Sequence, residues 1–408
     1  MSDPSAESPS NDPAELERLA ADCYRRGELL PALRLYDRLI GLGAATAETW
    51  CATGNALTDV GEYAQAIGAY ERSLQCRTAN PEAHHNLARV LYRLGDVDAA
   101  AAHLEQAAAL SDAIAPRLSL ATLIPGSPQA TLERIGAVRR AFVRALCESA
   151  ALPPGDRPPL PSLRPGERLR VGYLSAHFHL SPYMKPVWGL INRHDRQAFD
   201  VHLFADSPPE AGLPGYAPHR QDRVHRIAGL SNDEVAARIR ASCVHLLVDL
   251  GAYSVPERLA LFTRPVAPVT AAWFNLYATS GLPGLDYVIG DAEVAPESED
   301  RFFTERVLRL PMSYLTFEVC YPVPPVAPPP CLAGDAFTFG SLVTQYKVTP
   351  SVLDAWAEIL RRAPGTRLLL ANTALKSIHN RQFLLECFAA RGVAADRLVL
   401  EGPAEHLA

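Results

Sequence analysis

The sequence predicts an all-α repeat array followed by an α/β region with parallel sheets. Three observations carry that prediction. Small and aromatic residues recur every 34 positions through the first third of the chain. From Leu169 onward, short apolar strands alternate with helical stretches. Between the two patterns lies ALPPGDRPPLPSLRPGE (151–167), whose prolines make a stiff linker and a domain boundary.

The chain has 408 residues, 48% hydrophobic and 21% charged, which describes globular domains with a large core. A net charge of −6 argues against general nucleic-acid binding. No apolar run reaches the roughly 20 residues that span a bilayer. The polar, acidic start (MSDPSAESPSNDPAELE) reads as a disordered tail over 1–13, not a signal peptide. Eight cysteines form no CxxC pair and no zinc spacing, which suits buried thiols in a reducing cytosol. The expected location is cytoplasmic.

Residues 14–112 hold the repeats. Gly27, Gly61 and Gly95 keep the 34-residue spacing, as do Ala32, Ala66 and Ala100, and Tyr36, Tyr70 and Leu104. The period and pattern match three tetratricopeptide repeats, each a helix–turn–helix unit. The glycine ends the first helix, the alanine lets paired helices approach, and the larger residue fills the next groove. Asn80-Pro81 marks the boundary between the second and third units. Such arrays form a solenoid whose concave face binds a peptide, or simply scaffold the next domain. Asn55 and Asn86, on the first helices of units two and three, are candidate peptide-binding residues and equally plain solvated positions. Residues 113–150 read as a helical connector, with Leu132, Ile135, Val138, Phe142 and Leu146 at helical spacing.

Over 168–320 the strands are LRVGYLS, FDVHLF, RVHRI, HLLVDL, VTAAWF, DYVIGD and RVLRLP, with a helix over 231–242 capped by Ser231. Ligands of such folds bind beyond the carboxyl ends of the strands. The residues there are Ser175, His177, His179 and Ser181; Asp249, Tyr253, Ser254 and Arg258; Asn275, Thr279 and Ser280; and Asp291. His177 or His179 could act as a base. After a Pro-rich connection (321–334) comes a second α/β piece, 335–408. It opens with a strand expected to be buried (Phe337-Thr338-Phe339), turns at Gly340-Ser341, passes Lys347 and enters a helix at Thr349-Pro350. A lysine beside a helix N-terminus is an anion site in the making. The order β-α-β-α-β is one mononucleotide-binding half.

WFNLYATSGLPGLDYVIGD, RVLRLPMSYLTFE, FTFGSLVTQYKVTPSVLDAWAEIL and RLVLEGPAEHLA, together with the repeats, resemble bacterial members of the O-linked N-acetylglucosamine transferase family (SPINDLY-like proteins). The resemblance covers roughly 14–408 and implies a tetratricopeptide solenoid followed by a GT-B pair of Rossmann-like lobes. It implies metal-independent, inverting transfer of GlcNAc from UDP-GlcNAc to Ser or Thr of proteins; SPINDLY-type relatives use GDP-fucose. No resident cofactor is expected. Lys347 matches the family lysine that contacts the diphosphate, and Phe274-Asn275 matches the segment lining the sugar pocket, followed by Thr279 and Ser280. Ser254 and Arg258 match the loop after the fourth strand.

The chain departs from the family at several points. The family pattern S-x-D-F-x-x-H-P reads here Ser175-Ala176-His177-Phe178-His179-Leu180-Ser181-Pro182, so Ser181 stands at the family histidine and His177 at the aspartate. The polar pair before the lysine is Val343 and Thr344, with Gln345 one place on. The family's Gly- and Thr-rich nucleotide loop falls beyond Ala408. The expectation is therefore an incomplete second lobe and weak nucleotide-sugar binding. The alternative reading is a repeat-based interaction module with an inactive transferase region; a sugar-nucleotide epimerase fits the lobes but not the repeats.

Overall fold

The computed structural model describes residues 11–149, 156–208, 210–276, 278–318, 323–334 and 336–403. The tail before Asn11, the first part of the proline-rich linker, Tyr277 and residues 404–408 lie outside them.

Six helices form the repeats: α1 (Pro13–Arg25), α2 (Leu29–Gly41), α3 (Ala47–Asp59), α4 (Tyr63–Cys76), α5 (Pro81–Leu94) and α6 (Val97–Leu110). Ala32, Ala66 and Ala100 are fully buried, and Tyr36, Tyr70 and Leu104 fill the core beside them. Asn80 caps α5 by accepting from the Ala83 N–H at 3.2 Å, with Pro81 at the first helical position. Helix α7 (Ile114–Leu123) follows.

The chain divides into two compact units. The division cuts the expected connector: α7 stays with the repeats, whereas α8 (Leu132–Ser149) begins the second unit, 130–322. There α8 buries Ile135, Arg139, Phe142 and Val143.

The core of this unit is a sheet of β1 (Leu169–Ser175), β2 (Phe199–Ala205), β3 (Arg223–Arg226), β4 (Leu246–Asp249), β5 (Val269–Trp273), β6 (Tyr287–Asp291) and β7 (Arg306–Leu310). Helices α9 (Ser181–Asn192) and α10 (Asn232–Ala241) join its first four strands. All pairs are parallel, in the order β3-β2-β1-β4-β5-β6-β7. The order reverses between β1 and β4, the switch point where such sheets open a crevice. Central strands are apolar runs because both faces are covered; β1 and β2 each bury their last five residues.

The remaining elements are β8 (Thr338–Ser341), α11 (Pro350–Arg362), β9 (Arg367–Ala371), α12 (Ile378–Ala389) and β10 (Leu398–Glu401). They make a parallel three-stranded sheet, β10-β9-β8, and belong to the same unit as the repeats. The opening strand is not buried as expected. Among the described residues it pairs only with β9, and Phe337 just before it is 52% exposed. An edge position in so small a sheet leaves that apolar run half in water. No helix among the described residues is long and apolar enough to cross a membrane.

Candidate functional site

In the seven-stranded unit, three loops converge at the switch point. After β1 the chain does not stay extended: the Leu180 N–H returns to the His177 carbonyl at 2.9 Å. The turn is anchored by Phe178, fully buried and stacked on Trp188 at 5.4 Å. His177 is therefore held half-buried against the ring of Tyr183, centroids 4.3 Å apart. Burial pushes the His177 imidazole below its ordinary value, helped by neighbouring His179, so it is neutral near pH 7. The Nδ1 of His179 is buried with no hydrogen-bond partner among the described residues. Ser181 is exposed at the first turn of α9.

The loop after β4 is set by Asp249. Its carboxylate accepts the N–H of Gly251 at 3.2 Å and of Ala252 at 2.8 Å, folding the chain into a tight turn. Complete burial raises its pKa to about 6 against the pull of those two donors. Ser254 emerges exposed from this turn and donates to the Gly251 carbonyl at 2.6 Å.

The loop after β5 turns at Phe274, which has φ of +76°, a left-handed conformation uncommon for a bulky residue. The Asn275 N–H closes it onto the Trp273 carbonyl at 3.0 Å. Such strain concentrates at functional sites. Its effect here is to aim Asn275 at the other two loops: the amide nitrogen bonds the hydroxyls of both Tyr183 and Ser254. Tyr183 and Ser254 lie 3.2 Å apart, and Phe274 meets the Tyr183 ring edge-on at 5.1 Å. His177, Tyr183, Ser254, Phe274 and Asn275 thus form one polar and aromatic cluster. Tyr183 joins all three loops, yet reading along the sequence passed over it. Its only signal was a phenol on the first turn of a helix that follows a central strand.

Other candidates turn out to be scaffold. Arg258 was expected to face substrate. Its guanidinium instead grips Asp206 at 2.6 and 2.8 Å, the carbonyls of Leu230 and Ile227, and Asn232 Oδ1, which occupies all five N–H groups. Thr279 and Ser280 are buried and spend their hydroxyls on Glu305, also buried. Arg139 of α8 backs the same loop, donating to the Thr279 carbonyl at 2.8 Å and lying 4.2 Å from the Tyr253 ring. Asp291 accepts three backbone N–H groups, from Glu293, Val294 and Tyr314, and its pKa is lowered accordingly.

In the other unit, Lys347 closes a short 3₁₀ turn over Gln345–Lys347, just ahead of α11. It is exposed, and it is one of only three lysines in a chain with 39 basic residues. A compact ammonium on a flexible stem is thus used where arginine is the rule. Thr349 is the N-cap of α11, but its hydroxyl pairs with Ser351 at 3.0 Å and does not cap. Thr344 is exposed. Gln345, expected to touch substrate, is 5% exposed and accepts from Asn372 at 3.1 Å, so it braces the turn. Asn55 and Asn86 hold each other: Asn86 donates to Asn55 Oδ1 at 2.9 Å, which also accepts from Tyr70 at 2.8 Å. That ladder fixes adjacent repeats and occupies the Asn55 amide oxygen.

Comparison with known proteins agrees with this anatomy. The profile of Glycosyl transferase family 41 matches residues 159–319. TPR-repeat and tetratricopeptide-repeat profiles match 54–95 and 81–113. A petunia protein (Petunia hybrida) named "Probable UDP-N-acetylglucosamine--peptide N-acetylglucosaminyltransferase SPINDLY" is 32% identical over 174 residues, 43% of this chain and 19% of its own length. The corresponding SEC protein of Arabidopsis thaliana is 28% identical over 265 residues, 61% of this chain and 26% of its own. The chain therefore spans about a quarter or less of these curated relatives. A solved O-GlcNAc transferase of Thermobaculum terrenum, a lysine-to-methionine mutant, superposes with a TM-score of 0.70 at 26% identity, over 97% of this chain and 75% of that one. The similarity to glycosyl transferase family 41 thus falls on residues 159–319, and the similarity to tetratricopeptide repeats on the helices before it.

Proposed function

We propose that the protein is a nucleotide-sugar-dependent protein O-glycosyltransferase, transferring GlcNAc or a related sugar to Ser or Thr. The observation that carries this is the loop cluster at the switch point of a region matching glycosyltransferase family 41. In the reaction the acceptor hydroxyl oxygen bonds the anomeric carbon, the bond from that carbon to the diphosphate breaks, and the hydroxyl proton goes to a base. A half-buried His177 kept neutral is suited to take that proton. The Asn275 amide, held by the bonds its nitrogen makes to Tyr183 and Ser254, offers its oxygen as a preorganised acceptor to a sugar hydroxyl. Lys347 is proposed to meet the charge that develops on the leaving diphosphate, with no metal required. Protein acceptors would be recruited through the repeats, and the reducing cytosol would suit the seven described cysteines, all unpaired.

The test is transfer of labelled sugar from UDP-GlcNAc or GDP-fucose to a protein mixture, in buffer with and without EDTA. Incorporation that is released by alkaline elimination and insensitive to EDTA is expected. Replacing Lys347→Ala should lower turnover by about a hundredfold with little change in acceptor KM. No incorporation from either donor, with neither UDP nor GDP bound in calorimetric titration, would leave the repeat-based interaction module as the reading.

A further inference from the structure

The turn carrying Lys347 is not supported by its own sheet alone. Tyr92, in the last turn of α5 in the third repeat, stacks on Tyr346 with ring centroids 4.9 Å apart and planes 18° from parallel. The Tyr346 ring in turn lies 5.9 Å from the Lys347 ammonium. Three consecutive layers thus run from the repeat to the charge.

Gly95 adds backbone contact. Its φ is +97°, and a Cβ there would sit 2.2 Å from the Val348 carbonyl oxygen and 3.2 Å from that of Gln345. Gly27 and Gly61 hold the equivalent places in the other repeats with φ of +77° and +86°, and a Cβ on either would meet nothing within 4 Å. The left-handed turn explains all three glycines; only the close approach to Val348 sets Gly95 apart.

A second clamp keeps the repeats from sliding on this piece. Asn380 accepts from the Ala64 N–H at 3.0 Å and donates to the Gly61 carbonyl at 2.8 Å. Glu62 bonds both Ser377 Oγ, at 2.5 Å, and His379 Nδ1, at 2.8 Å. Within the lysine turn, the Lys347 N–H bonds the Thr344 carbonyl at 3.0 Å and the Val348 N–H that of Gln345 at 2.9 Å. Those bonds report whether the turn is held.

We infer that the third repeat is a positioning element for the lysine turn: Tyr92 and Gly95 fix Gln345–Val348 and so set where Lys347 presents its ammonium. The inference rests on the donor-side role proposed for Lys347 only for its catalytic consequence. The repeats then serve the chemistry as well as acceptor recruitment.

The test compares amide hydrogen exchange over 344–349 in the 408-residue chain. In Tyr92→Ala the Lys347 and Val348 amides should exchange about tenfold faster, with the first repeat unchanged. Tyr92→Phe, which keeps the ring, should restore wild-type exchange. Gly95→Ala should speed the same amides, whereas Gly27→Ala, with the same left-handed penalty and open space, should not. Wild-type exchange at 344–349 in both Tyr92→Ala and Gly95→Ala overturns the inference, as does acceleration spread evenly over all repeats. In transfer assays Tyr92→Ala should reduce kcat about tenfold and leave acceptor KM unchanged. If Lys347→Ala is as active as wild type, the donor-side reading fails while the exchange data still decide whether Tyr92 holds the turn. If Lys347→Ala is impaired and Tyr92→Ala alters neither turnover nor exchange, the positioning role alone fails.

Discussion

The two sheets hold their candidate residues by different means. In the seven-stranded unit, the cluster is braced by loops of the same unit. Asp249 folds one loop, Phe274 turns another, and Asn275 ties both to Tyr183. In the three-stranded piece the lysine turn leans on helices far away in sequence, and the Ala64–Asn380 clamp joins residues 316 positions apart. A wide sheet with both faces covered can fix its own crevice. A narrow one with an exposed edge strand borrows rigidity from a neighbour.

That contrast can be broken first at Arg258. Its side chain and that of Asp206 are about 9% and 13% exposed, so Arg258→Ala strands a carboxylate in the interior. A loss of about 3–5 kcal/mol is expected in denaturant unfolding of the seven-stranded unit. Hydrogen exchange at the lysine turn should stay as in the wild type. A fall in protection there would show that the two supports are not separate.

Asn275→Ala is the next step down. It removes the tie among three loops, costing about 1–2 kcal/mol of stability. It should also lower kcat/KM for the sugar donor more than tenfold, measured in the transfer assay. Asn275→Asp keeps the size but loses the donors, and is expected to behave like the alanine variant.

Acid should separate the units by a smaller margin. Among the described residues, burial holds His177, His194, His202, His225 and His245 below their ordinary value in the seven-stranded unit, but only His85 and His103 in the other. His202 is lowest, at about 4; burial dominates, His225, Arg223 and Arg170 add to it, and Asp200 opposes. A histidine depressed in the folded state is protonated first in the unfolded chain. Its contribution is therefore present above about pH 6.5 and lost as pH falls toward 4. The seven-stranded unit should lose stability first over that window. His202→Phe should flatten the slope by about 1 kcal/mol in melts at pH 7 and pH 4.5.

The repeats, the strand order along the chain and most element bounds were legible because they rest on local periodicity. The 34-residue spacing of Gly27, Gly61 and Gly95 places three turns without any knowledge of what they touch. What lay beyond reach was pairing across distance. Arg258 looked like an anion-binding residue, since nothing near it in sequence announced Asp206 as its partner. Gln345 looked polar and available, but Asn372 takes its amide oxygen. Phe337 to Phe339 looked like a core strand, and only the number of neighbouring strands shows that it is an edge. Lys347 was found because a βα junction with a helix N-terminus is itself a local pattern; its brace at Tyr92 was not.

Asn380 reads the repeat through main-chain atoms, the Gly61 carbonyl and the Ala64 N–H, and never through the side chains that carry them. Recognition of this kind is blind to spelling. Ala64 can change without loss so long as the bend keeps its shape, and Gly61 need only remain able to adopt its left-handed angle. Asn380 has no such latitude, because one amide must both give and accept. The Asn380 contact is therefore written on one side only, unlike those that Glu62 and Tyr92 make through their side chains. A survey of substitutions should find tolerance at Ala64 and intolerance at Asn380.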